Sequence, residues 1–183
     1  MVFTAISRLM GFVRLAVVAA VFGAGGQADV FHAVFQVPNN LRRLLAEGAF
    51  SASIVPALSR ESSPQEQSAL VRSALALQVA VTVPIVIILV IASGPVTGFL
   101  FRFQDPVKIQ STLSLFRVMI PYAVLAGTAA VLMGALHVRG IFVVPALAPL
   151  LFSVGVIASI LILSPSIGIY ATAIGVGIGG VLQ

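Results

Sequence analysis

Cysteine and tryptophan are both absent from the 183 residues. Without cysteine there is no disulfide framework, no thiolate metal site and no cysteine nucleophile. Acidic residues are scarce as well: five Asp or Glu against ten Lys or Arg. Five scattered acids supply neither a paired-carboxylate catalyst nor a carboxylate cluster for a divalent metal. No HExxH, GxSxG or glycine-rich phosphate loop followed by lysine occurs. The expectation is therefore a protein that is not an enzyme and holds no cofactor and no metal. Charge of either sign makes up 8% of the chain, whereas a soluble domain carries about a quarter. A water-facing globule of this size cannot be coated by so few charges. The net charge of +5 and the pI near 11.2 do not indicate nucleic acid, because that partner requires a solvated basic face.

Apolar sequence fills the space that charge leaves. Hydrophobic residues make up 60% of the chain and mean hydropathy is +1.16. From Ser73 to Phe101 there are 29 residues without a charge, and from Gly140 to Gln183 there are 44. A helix crosses the hydrocarbon core with roughly 20 apolar residues. The pattern predicts an all-α membrane protein, one transmembrane lobe over residues 1–183 with about six helices. These are expected near 3–22, 27–58, 70–101, 113–136, 141–163 and 166–183, the last without a finishing signal, as in the N-terminal piece of a larger protein. Gly23 to Gly26 should break the first helix, and Pro38 should kink the second. Arg60 to Arg72 reads as an aqueous loop, with Ser63-Pro64-Gln65-Glu66 as a helix start. Arg102 to Gln110 reads as a second polar loop, His137 to Gly140 as a tight turn, and Ser164-Pro165-Ser166 as the last turn. A cleaved signal peptide is disfavoured by Arg14, which would sit inside its apolar region. With a cytoplasmic N-terminus, Arg60, Arg72 and Arg139 lie inside and Arg102 and Lys108 outside, which follows the positive-inside rule.

The informative charges are those within predicted spans, where an ionisable group costs roughly 2.5–3.5 kcal/mol on insertion scales and tends to face a cavity. Arg8 and Arg14 lie in the first helix, and Ser7, Gly11 and Arg14 share one stripe of it. In the second, Asp29, His32, Gln36, Asn40, Arg43 and Glu47 follow at helical spacing and form a continuous polar face. Such a face implies an aqueous lumen or a polar partner helix. Blander roles compete with this one. Arg60, Arg72, Arg102, Lys108 and Arg139 fit headgroup anchors, and Arg8 and Arg14 could snorkel too. Arg117 fits an interfacial position. Asp29 and Glu47 are equally suited to structural ion pairs. His32 lacks the companions of a metal ligand. Gly175 and Gly179 form a GxxxG packing element. A cationic cavity without a catalyst suits the passage of an anion.

These residues also carry a family resemblance. Ser7-Arg8-Leu9-Met10-Gly11-Phe12-Val13-Arg14, Phe22-Gly23-Ala24-Gly25, Ala28-Asp29, and the run from Val37-Pro38-Asn39-Asn40-Leu41-Arg42-Arg43 through Ala46-Glu47-Gly48-Ala49-Phe50-Ser51 resemble the MurJ/MviN family. The likeness is dense over residues 7–58 and looser around Phe116 to Pro121, Pro145 to Pro149 and Gly179 to Gln183. Members are regarded as lipid II flippases of bacterial peptidoglycan synthesis, within the wider group of multidrug and polysaccharide-lipid exporters. The resemblance implies a MATE-like fold of two six-helix lobes plus two further helices, of which this chain would be the first lobe, in the bacterial inner membrane. It implies that the substrate, lipid II (undecaprenyl-diphosphate-linked disaccharide peptide), meets Arg8, Arg14 and Arg42, and it makes Asp29, Asn39, Arg43 and Glu47 candidates for gating or cavity lining. The polar stripe favours Arg43 for the cavity where the resemblance favours Arg42. Leu15 stands where the family has an acid, and Asn40 where it has leucine. Two other readings fit the residues: an exporter of another polysaccharide-lipid or an amphipathic drug, and a non-transporting membrane scaffold.

Overall fold

The computed structural model describes residues 2–44, 56–59, 63–101 and 103–183. Helix takes up nearly all of them, and no strand occurs among the described residues. The order is α1 (Val2–Phe22), a π-helical turn (Gly23–Gln27), α2 (Ala28–Arg42), α3 (Pro64–Ile91), α4 (Ser93–Leu100), α5 (Pro106–Met119), α6 (Tyr122–Val138), α7 (Val143–Ile167) and α8 (Tyr170–Leu182). Three stretches are long and apolar enough to cross a membrane: Pro64–Ile91, Pro106–Val138 and Val143–Ile167. The remaining expected crossings fall on α1 with its two arginines, on α2 and on the shorter apolar α8. The continuation of α2 past Leu44 lies outside the described residues up to residue 56, and with it Glu47. Arg60 and Arg102 lie outside them too.

Where the chain bends follows from single residues. Gly23 has φ +80°, a conformation that other L-residues enter at a cost. The glycine run therefore breaks α1 through a π-helical turn rather than an open loop. The aqueous loop expected up to Arg72 ends sooner, at the predicted helix start: Ser63 is the N-cap and Pro64 occupies the first turn of α3, where a missing N–H costs nothing. The loop expected over Arg102 to Gln110 is shorter as well, because Asp105 accepts a hydrogen bond from the Val107 N–H at 2.9 Å and Pro106 opens α5. The span expected over 113–136 is two helices, parted at Ile120–Pro121. The last turn falls at Gly168 (φ +57°) and not at Pro165, which stays inside the final turn of α7.

The apolar core joins α1, α2, α5, α6, α7 and α8 through fully buried Val18, Val34, Phe116, Ala123, Val156 and Val176. Large apolar side chains also cover the outside: Ile91, Phe99, Ile162 and Val181 are each more than 70% exposed. A surface of this kind is stable in hydrocarbon and not in water. The tightest contact is α7 against α8. A Cβ on Gly179 would lie 2.6 Å from the Phe152 carbonyl oxygen, and one on Gly175 2.9 Å from Val156 Cα. The GxxxG pair thus brings two backbones together, as small residues do in membrane bundles. Between α3 and α6, fully buried Gln78 donates to Thr82 Oγ1 at 3.2 Å and accepts from Thr128 Oγ1 at 3.1 Å.

Candidate functional site

A hollow of about 240 Å³ is lined by α1, α2, α6 and α7. From α1 it takes Ser7, Gly11 and Arg14, and from α2 Phe35, Asn39 and Arg42. Each set recurs at spacings of three and four, so each is one helix face. Tyr122, Phe152 and Ser153 come from α6 and α7, and Gln183 follows α8. Two guanidinium groups face this space and no carboxylate lines it.

Arg14 is held by aromatic faces. Its Cζ lies 5.3 Å from the Phe35 ring centroid and 5.2 Å from that of Phe152. The two rings are near-parallel at 5.8 Å, and Tyr122 packs against both. A cation over an aromatic face gains about 0.5–2 kcal/mol, the more so away from water. The guanidinium makes no hydrogen bond or ion pair with any described residue. Arg42 is oriented differently: its Nε donates to Asn39 Oδ1 at 3.4 Å. Ser7 Oγ donates to the Ala146 carbonyl at 3.1 Å and fixes α1 to α7 beside the hollow. Gln183 Nε2 donates to Tyr122 Oη at 3.4 Å across the far wall.

Chemically, two cations and several neutral polar groups without an acid match the needs of a small polyanion. Guanidinium edges bind phosphate or carboxylate oxygens by charge-assisted, often bidentate, hydrogen bonds. Asn39, Ser153 and Gln183 add neutral polar groups on the same walls. No group of three or more His, Asp or Glu side chains suited to a metal occurs among the described residues.

The sequence candidates divide across the structure. Arg14, Arg42 and Asn39 meet in the hollow. Arg8 is exposed on α1 and does not line it. Asp29 is half-exposed in the first turn of α2, where it pairs with Lys108 of α5 at 3.9 Å. Arg43 is exposed, and Glu47 lies outside the described residues. The predicted stripe of Asp29, His32, Gln36, Asn40 and Arg43 occupies the least buried side of α2. The hollow is lined by the neighbouring face, Phe35, Asn39 and Arg42. Arg117 also makes a defined contact: its Nε donates to Ser93 Oγ at 2.7 Å, joining α5 to the first residue of α4. The aromatic cage of Phe35, Tyr122 and Phe152 had no sequence signal beyond Tyr122 following Pro121, because its members come from three helices.

Comparison with known proteins gives a consistent result. The family described as lipid II flippase MurJ matches residues 18–183. A probable lipid II flippase MurJ of Borreliella burgdorferi is 32% identical over all of this chain and 36% of its own length. The lipid II flippase MurJ of Burkholderia cenocepacia is 32% identical over 99% of this chain and 36% of its own. That of Vibrio cholerae, also a probable lipid II flippase MurJ, is 34% identical over 98% and 37%. The chain thus spans little more than a third of these relatives. A solved structure of lipid II flippase MurJ in an inward closed conformation superposes with a TM-score of 0.84 over 99% of this chain and 39% of that one, at 24% identity. The fold is therefore that of the corresponding part of that solved structure.

Proposed function

The chain belongs to the lipid II flippase MurJ family, and from that premise we propose that it is the first lobe of a flippase that carries lipid II across the bacterial inner membrane. The N-terminus is assigned to the cytoplasmic side, and a second, C-terminal lobe completes the transport path. The carrying observation is a hollow that holds Arg14 and Arg42 and no acid. A diphosphate cannot enter hydrocarbon unaided, since an isolated charge there costs many kcal/mol. Two guanidinium groups supply the compensating charge and the directional hydrogen bonds.

Arg14 and Arg42 are assigned to the diphosphate, with Asn39 setting the aim of Arg42. Arg8, exposed on α1, is assigned the earlier contact as the headgroup approaches. Asp29 and Arg43 are exposed on one flank of α2, and we assign them, with Glu47 by its helical spacing in the sequence, to the contact that opens and closes against the second lobe. Rocking of the two lobes about the bound head would expose it to each side in turn. An exporter of cationic drugs is disfavoured by the sign of the hollow.

The test is replacement of Arg14 and Arg42 by alanine, singly and together, in the full-length flippase, read by rescue of growth after depletion of the native protein. Loss of two charge-assisted contacts at about 1.5–3 kcal/mol each should abolish rescue in the double variant at normal membrane abundance. Full rescue by that variant would refute the assignment. Lysine at either position should rescue only in part, because an ammonium cannot make the forked contact.

A further inference from the structure

Arg14 is carried by a pair of rings. Its Cζ lies 5.3 Å from the Phe35 centroid and 5.2 Å from the Phe152 centroid, while those centroids are 5.8 Å apart and the rings are inclined by 21°. The three distances are nearly equal, so the guanidinium straddles the pair instead of resting on one ring. Within the described residues it has no hydrogen bond and no ion pair, and no acid is among the residues that line the hollow around it.

The fold seats these rings. Phe35 shares a face of α2 with Asn39 and Arg42, at spacings of four and three, so one face supplies a ring for Arg14 and the amide that receives the Arg42 Nε–H. Phe152 and Tyr122 come from α7 and α6, and each is 5% exposed. Consecutive glycines of α8 make room for both. A Cβ on Gly179 would stand 2.9 Å from Phe152 Cδ2, and one on Gly180 2.8 Å from Tyr122 Cδ2. Tyr122 packs against both phenylalanines, with centroids at 6.0 Å from Phe35 and 5.2 Å from Phe152, and completes the aromatic wall.

We propose that Phe35 and Phe152 are positioning residues, which hold the Arg14 guanidinium ready for an anionic headgroup without neutralising it. The proposal rests on the assignment of Arg14 to the diphosphate. A carboxylate partner would fix the side chain equally well, but an incoming phosphate would have to displace it. A ring face attracts a cation through its quadrupole and carries no net charge, so the phosphate oxygens meet no rival anion. Holding also raises the fraction of Arg14 side chains in the binding-competent rotamer, and apparent affinity scales with that fraction. A planar guanidinium spans two rings where an ammonium is a point charge, which favours arginine at this position.

The experiment uses the full-length flippase in nanodiscs, with inorganic diphosphate as the probe. Phe152 is replaced by mono-, di- and trifluorinated phenylalanine, which weaken the negative ring face in steps and change its shape little. Affinity should fall at each step, by about two- to thirtyfold in all for a contact of this class, while the unfolding midpoint stays level. In an Arg14→Ala background the series should be flat. A ring that only fills space would leave affinity unchanged across the series, and that result overturns the proposal. So does a rise, which would mean that the ring merely repels the anion, or a fall that persists without Arg14. If Arg14→Ala alone leaves diphosphate binding unchanged, the headgroup assignment itself fails, and the proposal with it. Should the protein with fluorinated Phe152 not fold, the same series at Phe35 takes its place.

Discussion

Gly177 and Gly179 lie two residues apart on α8 and should respond to alanine with opposite signs. A Cβ on Gly177 meets nothing within 4 Å. Its replacement adds helix propensity alone, which stabilises by about 0.8–1.0 kcal/mol. A Cβ on Gly179 would stand 2.6 Å from the Phe152 carbonyl oxygen and 2.9 Å from Phe152 Cδ2. The first obstacle is backbone and cannot rotate away, so α7 and α8 must part. Overpacking of this kind costs about 1–3 kcal/mol, against the same propensity gain. The difference between the two variants isolates the packing cost and should itself be about 1–3 kcal/mol. Reversible unfolding of the full-length protein in mixed micelles measures it. Gly179→Ala should in addition weaken binding of inorganic diphosphate, because the displaced Phe152 carries one of the rings under Arg14, while Gly177→Ala should not. Equal shifts in stability for the two variants would refute the idea that backbone contact at Gly179 sets the α7–α8 distance.

Two further outcomes follow from contacts elsewhere. Gln78→Met keeps the volume between α3 and α6 but removes the hydrogen bonds to Thr82 and Thr128; the expected loss is about 0.6–1.7 kcal/mol per the range for membrane-buried polar pairs, read by the same unfolding assay, and a loss above 4 kcal/mol would contradict it. The Asp29–Lys108 pair is half-exposed at 3.9 Å, so Asp29→Asn should cost less than about 1 kcal/mol in stability. If Asp29 instead serves the opening of the path, growth rescue should fall far more than stability does, and a double-mutant cycle with Lys108→Met separates the two.

The membrane class was legible because charge-free runs of 29 and 44 residues admit no soluble alternative. Helix ends were harder. Ser63-Pro64 was read correctly as a helix start, whereas Asp105-Pro106 resembles loop in composition and is a cap from which α5 begins. Pro165 looked like a turn, but a proline in the last turn of α7 interrupts little, and Gly168 with its positive φ reverses the chain. Within the site, the stripe on α2 was read with the correct period and the wrong phase. Gln36, Asn40 and Arg43 each sit one residue, about 100°, past Phe35, Asn39 and Arg42. Polarity marked the stripe as the functional face, whereas the hollow combines two cations with aromatic rings. Periodicity alone cannot find a cation whose partner is a phenylalanine on another helix. The family resemblance named Arg42 because it compares positions rather than faces.

The parting at Ile120–Pro121 has a mechanical consequence. Tyr122 is the first residue beyond it; its ring stacks on Phe35 and packs at a tilt against Phe152, while its hydroxyl meets Gln183. At the other end of α5, Lys108 is tethered to the start of α2. The α5–α6 rod is thus jointed at its middle and carries part of the aromatic cage at that elbow, with a weak ion pair near its far tip. A change of angle at this joint would shift that ring against Phe35 and Phe152, whose faces lie beneath the Arg14 guanidinium.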